Sequence, residues 1–365
     1  MIVGVLGGGQ LGRMLALAGI PMGLRFRFLD PESGAPAAEV GDHLRAEYQD
    51  EAALERFAAD LDVVTFEFEN VPSDALHKLA FHAPVAPSPE ALETAQDRLS
   101  EKQLFRTLDI PTPPFFPIAS KSELNEALPC TGFPALVKTR RFGYDGKGQW
   151  TVRTPEEADR IWSIVPAETP LLLEGFVKFD RELSIIAARS RSGEVCFYPL
   201  VENRHEEGIL RLSVAPAPSI TSELQETAQR YMLRLLEALD YVGVLAVELF
   251  QCGDALLANE MAPRVHNSGH WTIEAAETSQ FENHLRAILG LPLGSTAPRG
   301  VSAMWNLLGA PPQPDAVLSV PGAHLHLYGK QPRPGRKIGH VTVCAPDGDR
   351  LHARLAQIRA VAPQT

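Results

Sequence analysis

The first thirty residues alternate between apolar runs and a helical pattern. Residues 1–6 are an apolar run that predicts a buried strand, and residues 24–29 predict a second one. Between them, Met14, Leu15 and Leu17 recur at helical spacing. This order is typical of a β–α–β unit and predicts that the chain opens with a parallel sheet.

A glycine-rich turn, GGGQLG at residues 7–12, joins the first strand to this helix. Such a turn lets the backbone approach a ligand, and the following helix N-terminus attracts anions. Asp30 lies about where a dinucleotide-binding unit carries its acidic residue. The motif is equally compatible with a tight strand-to-helix turn that binds nothing.

Two glutamates follow the apolar run that begins at Val63. Glu67 and Glu69 would lie at the carboxyl end of this strand, where open α/β sheets bind ligands. In an extended chain they would point the same way. The alternative is a solvated strand end.

Residues 90–108 have the pattern of one helix, and the prolines from Pro111 onward interrupt it. Residues 133–138 predict a strand that ends in Lys138, which as a single residue fits a solvated strand end. Residues 141–150 contain three glycines and Lys147. They fit either a hairpin turn at Asp145 or a loop whose N–H groups cover phosphates. The segment is not a P-loop, because Gly148 follows the lysine.

The next segments alternate between strands and polar turns. Residues 171–177 and 181–188 predict strands, and we expect a hinge after the first of them. Residues 203–210 predict a polar turn, in which His205 fits an ordinary turn histidine as well as a functional one. Residues 222–239 predict an amphipathic helix.

An apolar hairpin over residues 241–259 carries a glutamate on each arm. A hairpin brings Glu248 and Glu260 side by side, although its register is left open. Two close carboxylates repel unless a cation lies between them, and magnesium is held by one or two carboxylates with nucleotide phosphates. The alternative is that one acid pairs with Arg264 and the other is solvated.

The end of the chain has its own pattern. Residues 324–330 predict an alternating strand, residues 333–340 a basic turn, 341–343 a return strand and 349–360 a closing helix. In an acidic protein, a basic turn is a candidate phosphate site. The alternative is a solvated turn.

Composition narrows the class of protein. A chain of 365 residues, 45% hydrophobic and 22% charged, fits two or three globular domains. The net charge of −11 argues against a general nucleic-acid partner. The four scattered cysteines predict reduced thiols. We find no signal peptide and no membrane span, and therefore expect a cytoplasmic protein with no membrane partner.

Five motifs resemble those of one family, in its order. They are GGGQLGRM (7–14), GYDGKGQW (143–150), HEEGIL (205–210), APRVHNSGHW (262–271) and RPGRKIGH (333–340). The chain thus resembles the ATP-grasp ligases, and within them the 5-(carboxyamino)imidazole ribonucleotide synthases of purine biosynthesis. The resemblance implies an α/β (α+β) ATP-grasp fold with an N-terminal Rossmann-like parallel-sheet domain and a small C-terminal domain. The expected domains are 1–98, 99–295 with a mobile lid at about 112–176, and 296–365.

The resemblance also implies the site residues. The implied ATP contacts are Arg98, Lys138, Gly143, Tyr144, Asp145, Gly146, Lys147, Gly148, Gln149, Glu174, Gly175, Phe176, Val177, Glu182, His205, Asn259 and Glu260. Among them, residues 174–177 are implied to contact adenine, and Glu182 is implied to hold the ribose hydroxyls. The implied magnesium ligands are Glu248 and Glu260. The implied substrate contacts are Gln10, Leu11, Glu69, Asn267, Lys330, Arg336 and Lys337. The residues implied for the chemistry are Arg264, His266, Lys138 and Tyr144.

The implied reaction is ATP-dependent carboxylation of 5-aminoimidazole ribonucleotide by bicarbonate through carboxyphosphate, in a homodimer with ATP and magnesium. A formate-dependent phosphoribosylglycinamide formyltransferase of the same fold is the alternative. Two further hypotheses are a nicotinamide-dependent oxidoreductase built on the first β–α–β unit and a nucleotide sensor without turnover.

Overall fold

In the part of the chain that the structure describes, the strands form three sheets, of four, nine and four strands. The structure is a computed structural model, and it describes residues 1–143, 146–166 and 168–362. The predicted mixed α/β architecture with an N-terminal parallel sheet is confirmed.

The N-terminal sheet is built from the predicted β–α–β unit and its continuation. Its elements are β1 (Ile2–Leu6), α1 (Gln10–Gly19), β2 (Arg25–Leu29), β3 (Asp42–Leu44), α2 (Glu51–Ala58), β4 (Val63–Phe66) and α3 (Ser73–Leu79). The strands are parallel, in the order β3-β2-β1-β4. Because β1 lies in the middle with helices on its faces, its apolar run is buried.

The helix predicted over residues 90–108 is two helices, α4 (Pro89–Gln96) and α5 (Arg98–Thr107). Asp97 separates them with an extended backbone, and its carboxylate accepts the N–H of Leu99. The same carboxylate pairs with Arg140 at 2.6 Å. The prediction of one helix was wrong because a capping aspartate held by a distant arginine interrupts it.

A second four-stranded sheet contains the predicted strands that end near Lys138 and Glu174. Its elements are β5 (Phe115–Ile118), α6 (Lys121–Thr131), β6 (Ala135–Thr139), β7 (Gln149–Val152), α7 (Pro155–Ile164) and β8 (Leu171–Gly175). The strands are antiparallel, in the order β5-β8-β6-β7. This sheet has a core of its own. It falls within the span predicted as a lid, whose bounds and mobility stay predictions.

The largest sheet contains the hairpin and also the C-terminal strands. Its strands are β9 (Arg181–Arg189), β10 (Val195–Phe197), β11 (Val201–Glu206), β12 (Ile209–Ala215), β13 (Gly243–Cys252), β14 (Ala255–Ala262), β15 (Val301–Gly309), β16 (Ala323–Leu327) and β17 (Arg333–Ala345). Helices α8 (Ser222–Ala238), α9 (Thr272–Ala275), α10 (Gln280–Ile288), α11 (Pro314–Leu318) and α12 (Gly348–Val361) complete the chain. The strand order is β14-β13-β9-β11-β12-β15-β17-β16, with β10 beside β9. The C-terminal strands therefore continue the sheet that carries the hairpin.

Two turns predicted in this sheet are strands. The polar turn at 203–210 is mostly the β11–β12 pair, with only Glu207 and Gly208 between the strands. The basic turn at 333–340 lies within β17. Leu308 and the next residue, Gly309, pair with Lys337 and Arg333, so residues 334–336 bulge out of the strand. Both strands were missed because their residues are polar, and hydrogen bonding to a neighbouring strand outweighs local propensity.

Helix α10 joins the N-terminal sheet to the largest one. His284 of α10 is buried, and its Nδ1 accepts the N–H of Val244 on β13 at 3.1 Å. The ring proton is therefore on Nε2, which lies 3.0 Å from the hydroxyl of Thr65 on β4. One neutral imidazole thus bridges two sheets, and burial lowers the pKa of His284 to about 4.

This bridge predicts a loss of stability in acid. Since the unfolded His284 would titrate near 6.5, the folded protein resists a proton that the unfolded chain accepts, and stability falls as the pH drops from 6.5 to 4. The free energy of unfolding should fall by about 2 kcal/mol from this group between pH 7 and pH 5. Urea unfolding at pH 7 and pH 5 should show a smaller difference in the free energy of unfolding for His284→Gln than for the wild type. The exposed His352 gives the control, because His352→Gln should keep the wild-type difference. Equal pH dependence of wild type and His284→Gln would contradict the prediction.

Candidate active site

The two hairpin glutamates lie directly opposite each other. Glu248 on β13 pairs in register with Glu260 on β14, and the next pair is Leu249 with Ala258. Asn259 is therefore the extra residue of a β-bulge, which re-aims side chains at a strand end. Burial and the charge of Glu260 raise the pKa of Glu248 to about 7. The predicted proximity of the two carboxylates is confirmed, and it is the arrangement that a divalent cation would stabilise.

Two of the acids pair with arginines in a way that the sequence did not indicate. Arg98, at the start of α5, donates to Glu260 at 2.8 Å. Burial would raise the pKa of Glu260, but the charge and hydrogen bond of Arg98 outweigh it and lower the value to about 2. Arg264 instead pairs with Glu69 at 2.9 Å. The alternative in which Arg264 holds a hairpin glutamate was therefore wrong.

Lys138 is buried beside a second lysine. Its ammonium lies 2.8 Å from the carboxylate of Glu174, and that of Lys102 lies 3.7 Å from the same oxygen. Lys102 also donates to the carbonyl of Ala258 on β14 at 3.4 Å. One carboxylate thus faces two ammonium groups, which leaves net positive charge beside the hairpin. Lys138 is not a solvated strand end.

Lys102 was not among the predicted site residues. Its signal in the sequence was its place four residues after Arg98, on the same face of a helix. Burial lowers the pKa of Lys102, although Glu174 opposes that effect. The side chain of Glu174 faces the lysines, so only its backbone remains for the predicted contact with adenine.

The segment predicted to bind adenine follows β8. The N–H of Gly175 is bonded to the carbonyl of Pro114 at 2.8 Å. Phe176 is 49% exposed, and Val177 is partly exposed. The exposed residues after Gly175 are therefore the part of this hinge that a ligand can reach.

Glu182 and His205 form a pair on neighbouring strands β9 and β11. Nδ1 of His205 lies 2.7 Å from the carboxylate of Glu182. Burial alone would lower the pKa of His205, but the hydrogen bond to Glu182 and the charge of Glu248 raise it overall. His205 is thus tied to the predicted ribose-binding acid and lies in the field of the hairpin.

The predicted phosphate-covering loop connects β6 and β7. Gly146 and Gly148 have φ of +75° and +70°, and a Cβ on Gly148 would lie 2.6 Å from the hydroxyl of Thr139. Gly146 approaches the Glu207 carbonyl, at the tip of the β11–β12 hairpin, so the loop reaches across to the largest sheet. Gly143 lies near Arg98, and Lys147 and Gln149 complete the described part. Tyr144 and Asp145 lie outside the described residues.

The glycine turn holds an anion that belongs to the chain. The carboxylate of Glu67 accepts the N–H groups of Gly9, Leu11 and Gly12 at 3.0, 3.1 and 3.3 Å. Asp30 accepts the N–H of Gly8 at 2.7 Å. Glutamate and aspartate thus take the donors that a dinucleotide would need.

This arrangement changes three expectations at the turn. Strand β4 ends at Phe66, so Glu67 and Glu69 follow a bend, and they bind different partners. Leu11 is buried with its N–H bonded to Glu67. Gln10 is partly exposed, so its side chain is the one left to reach a substrate.

A cationic group faces the glycine turn from the C-terminal strands. Lys330 and Arg336 lie close enough to act on each other, and Glu67 also acts on Lys330. Burial nevertheless lowers the pKa of Lys330. Lys337 acts electrostatically on both Glu248 and His266. The three predicted cations therefore lie between the turn and the hairpin.

The segment after the hairpin brings His266 and Asn267 to the same place. Nε2 of His266 lies 3.5 Å from Glu248. Burial and the charge of Arg264 lower the pKa of His266 well below its usual range. Asn267 exchanges two amide hydrogen bonds with Asn306 of β15, at 3.1 and 2.8 Å. Asn306 carried no signal in the sequence, because its partner lies in a distant strand.

The protein supplies only part of the ligands that a magnesium ion would need. Among the described residues, no group of three or more His, Cys, Asp or Glu side chains is arranged to hold a metal ion. Glu248 and Glu260 supply two carboxylates, the number magnesium uses when nucleotide phosphates supply further oxygens. The residues therefore fit a metal that arrives with a nucleotide.

Comparisons with known proteins agree over the whole chain. Three family models match: the ribonucleotide synthetase preATP-grasp domain at 1–96, the ATP-grasp domain at 103–281 and the phosphoribosylaminoimidazole carboxylase C-terminal domain at 302–354. An N5-carboxyaminoimidazole ribonucleotide synthase of Pseudomonas aeruginosa is 52% identical over 99% of both chains.

Solved structures are equally similar. The N5-carboxyaminoimidazole ribonucleotide synthetase of Thermus thermophilus has a TM-score of 0.96 and 59% identity, over 100% of this chain and 99% of the other. The Aspergillus clavatus N5-carboxyaminoimidazole synthase, solved with ADP and 5-aminoimidazole ribonucleotide, has a TM-score of 0.89 and 33% identity, over 98% and 96%.

The bonds of Glu67 predict a specific loss of stability. Glu67→Ala leaves three backbone donors without their acceptor, and a hydrogen bond to a charged group is worth about 1.5–3 kcal/mol. The variant should lose about 3 kcal/mol or more in urea unfolding. Acetate should restore part of the loss, since it can enter the vacated turn. The exposed Glu55 gives the control, because Glu55→Ala removes no such bonds. Equal stability of the two variants would contradict the prediction.

Proposed function

The chain belongs to the N5-carboxyaminoimidazole ribonucleotide synthases, and on that premise we propose how its own residues carry out the reaction. The protein is an ATP-dependent ATP-grasp ligase that makes N5-carboxyaminoimidazole ribonucleotide from 5-aminoimidazole ribonucleotide in purine biosynthesis. One observation supports the proposed mechanism above the others: two opposed carboxylates lie beside fixed cations.

ATP would lie between the second four-stranded sheet and the largest sheet. Lys138 and Arg98 would meet its phosphates, and the loop from Gly143 to Gln149 would cover them. The segment from Glu174 to Val177 would contact adenine through its backbone, and Glu182 with His205 would hold the ribose. This placement is supported by the loop tip, which already reaches the β11–β12 hairpin.

Magnesium would be held by Glu248 and Glu260, with Asn259 beside them on the bulge. When bound, it would offset the charge that develops during phosphoryl transfer. Arg98 would then have to share Glu260 with the metal. Its guanidinium would then also contact a phosphate oxygen.

The ribonucleotide substrate would lie between the glycine turn and the C-terminal strands. Lys330, Arg336 and Lys337 form the local cationic group that an acidic protein needs for a phosphate. Gln10, Leu11, Glu69 and Asn267 would line the rest of this site. The glycine turn would then contact the substrate without binding its phosphate, because Glu67 holds the N–H groups.

The chemistry would proceed in two steps. A bicarbonate oxygen attacks the γ-phosphorus, the bond to ADP breaks and carboxyphosphate forms. The exocyclic amine of the substrate then attacks the carboxyl carbon as the bond to phosphate breaks, or attacks CO₂ after phosphate has left. In either case the proton that the amine loses ends on the released phosphate. Lys138 and Arg98 stabilise charge in the first step, and Arg264 with His266 orients the carboxyl group. Covering the site matters because carboxyphosphate would be lost to water.

Several expectations stay predictions. They are the homodimer, the cytoplasmic location, the absence of nucleic-acid partners and the domain bounds. In the described part of the chain, no helix combines the length and apolarity needed to cross a membrane.

The formate-dependent alternative is not favoured, since the relatives are carboxyaminoimidazole synthases over nearly their full length. The deciding assay is release of phosphate from ATP. It should require both 5-aminoimidazole ribonucleotide and bicarbonate. Release that depends on formate and glycinamide ribonucleotide would support the alternative, and no release with any combination would support the sensor hypothesis.

Removing one hairpin charge should stop turnover. Glu260→Gln keeps the size of the side chain but removes a proposed metal ligand, so phosphate release should fall by at least about a hundredfold while the circular dichroism spectrum is unchanged. Glu202, in the same sheet, also pairs with an arginine, at 2.9 Å. Glu202→Gln is therefore the matched control and should keep its activity. Full turnover of Glu260→Gln at ordinary magnesium would refute the assignment.

The cationic group should discriminate between the two ligands. Arg336→Ala should weaken binding of 5-aminoimidazole ribonucleotide and leave ATP affinity almost unchanged. A lost charge-assisted contact costs about 1.5–3 kcal/mol, which is about a tenfold to hundredfold rise in Kd. Calorimetry with each ligand measures both constants.

The same strand offers a control. Arg333 is exposed at the start of β17, and Arg333→Ala should change neither constant. Unchanged binding by Arg336→Ala would show a solvated bulge, and equal weakening of both ligands would place the bulge in the ATP site.

A further inference from the structure

The orientation of the His266 ring is set from the side that faces away from the site. The backbone N–H of Ser268 donates to Nδ1 of His266 at 3.3 Å, and the Ser268 hydroxyl lies 2.8 Å from the same nitrogen. An imidazole nitrogen that accepts from a backbone N–H carries no proton. The ring proton of the neutral side chain is therefore on Nε2, 3.5 Å from Glu248.

A chain of buried side chains leads to this nitrogen. The Ser213 hydroxyl donates to the amide oxygen of Asn203 at 2.8 Å, and the Asn203 amide donates to the hydroxyl of Ser184 at 3.0 Å. The hydroxyls of Ser184 and Ser268 are 2.7 Å apart. Since Nδ1 of His266 carries no proton, the Ser268 hydroxyl donates to it, and Ser184 must therefore donate its own proton to Ser268. Every donor in this hydrogen-bond network therefore points toward His266.

Rigid elements hold the members of this chain. Ser184 on β9 lies directly opposite Glu248 on β13. On the other side of β9, Asn203 of β11 pairs with Ser213 of β12. The three serines are fully buried and Asn203 nearly so. A buried network in which each group is satisfied has one favourable arrangement, so it specifies a side-chain orientation.

We propose that His266 serves as a neutral hydrogen-bond donor through Nε2–H, toward the carboxyl group held beside Glu248, and that Ser268, Ser184 and Asn203 are positioning residues that fix this tautomer. The proposal rests on the proposed function, because it assigns His266 a task at the same site. No proton is transferred by the ring. A general base at this position would need an unprotonated Nε2, whereas this hydrogen-bond network keeps the proton on Nε2.

The tautomer can be measured without turnover. In protein labelled with ¹⁵N-histidine, long-range proton–nitrogen correlation spectra distinguish a protonated Nε2 from a protonated Nδ1. We expect His266, assigned by the signals that disappear in His266→Gln and by the signals that shift in Ser268→Ala, to have the proton on Nε2 at neutral pH. A proton on Nδ1, or on both nitrogens, would overturn the proposal.

Two substitutions at His266 separate a donor from a base. The amide of glutamine can place an N–H near the position of Nε2, whereas that of asparagine reaches only the position of Nδ1. We expect His266→Gln to keep kcat within about tenfold of wild type. His266→Asn and His266→Ala should lose about a hundredfold or more, the usual cost of one donor to a developing charge. His266→Gln as inactive as His266→Ala, with both ligands still bound, would refute the donor role.

The positioning residues have a matched control. Ser268→Ala should lower kcat by about fivefold to tenfold, leave the KM for ATP unchanged and produce a mixture of His266 tautomers. Ser302 is an equally buried serine, and its hydroxyl donates to the backbone carbonyl of Ala215, which is not part of this hydrogen-bond network. Ser302→Ala should change none of the three quantities, and a wild-type tautomer and kcat in Ser268→Ala would overturn the positioning role.

These outcomes differ from a failure of the proposed function. If wild type releases no phosphate with 5-aminoimidazole ribonucleotide and bicarbonate, the reaction itself is wrong. If wild type turns over and all three His266 variants match it, the reaction stands and the donor role is refuted.

Discussion

The opposition of two carboxylates across one hairpin is the constraint on which the rest of the site depends. Glu248 and Glu260 are paired by strand register, so neither can move away without breaking the β13–β14 ladder. Their repulsion is offset by cations that come from elsewhere in the chain, Arg98 from α5 and Lys138 from β6. A hydrophobic pair would be the more stable choice at such a position. The cost is understandable if the hairpin exists to bind a cation.

The cations are themselves held in place by acids. Glu174 faces both Lys102 and Lys138, and Asp97 holds Arg140 while it caps α5. Charge around the hairpin is thus distributed over three elements that meet only in the folded protein. Removing Glu174 would leave two buried ammonium groups without the acid that they share.

The parts of the fold that the sequence predicted are those with a strong local period. The first β–α–β unit, the amphipathic helix α8 and the apolar hairpin follow from spacing alone. The mistakes fall where distant partners decide the structure. Asp97 interrupts a helical pattern, and the polar residues at the start of β17 form a strand because β15 pairs with them. The register of Glu248 with Glu260, the burial of Lys102 and the partner of Asn267 likewise depend on elements far along the chain. Most of the predicted site residues were supplied by family motifs, and the assignment of their roles remains a proposal.

The glycine turn holds its anion covalently, as a side chain of the same polypeptide. A carboxylate on the chain is present at one equivalent whatever the concentration of metabolites, and it cannot diffuse away. The turn is therefore held in shape without any bound ligand, so that binding a substrate there requires no ordering of its backbone. A motif that elsewhere responds to its ligand has here become a permanent part of the scaffold.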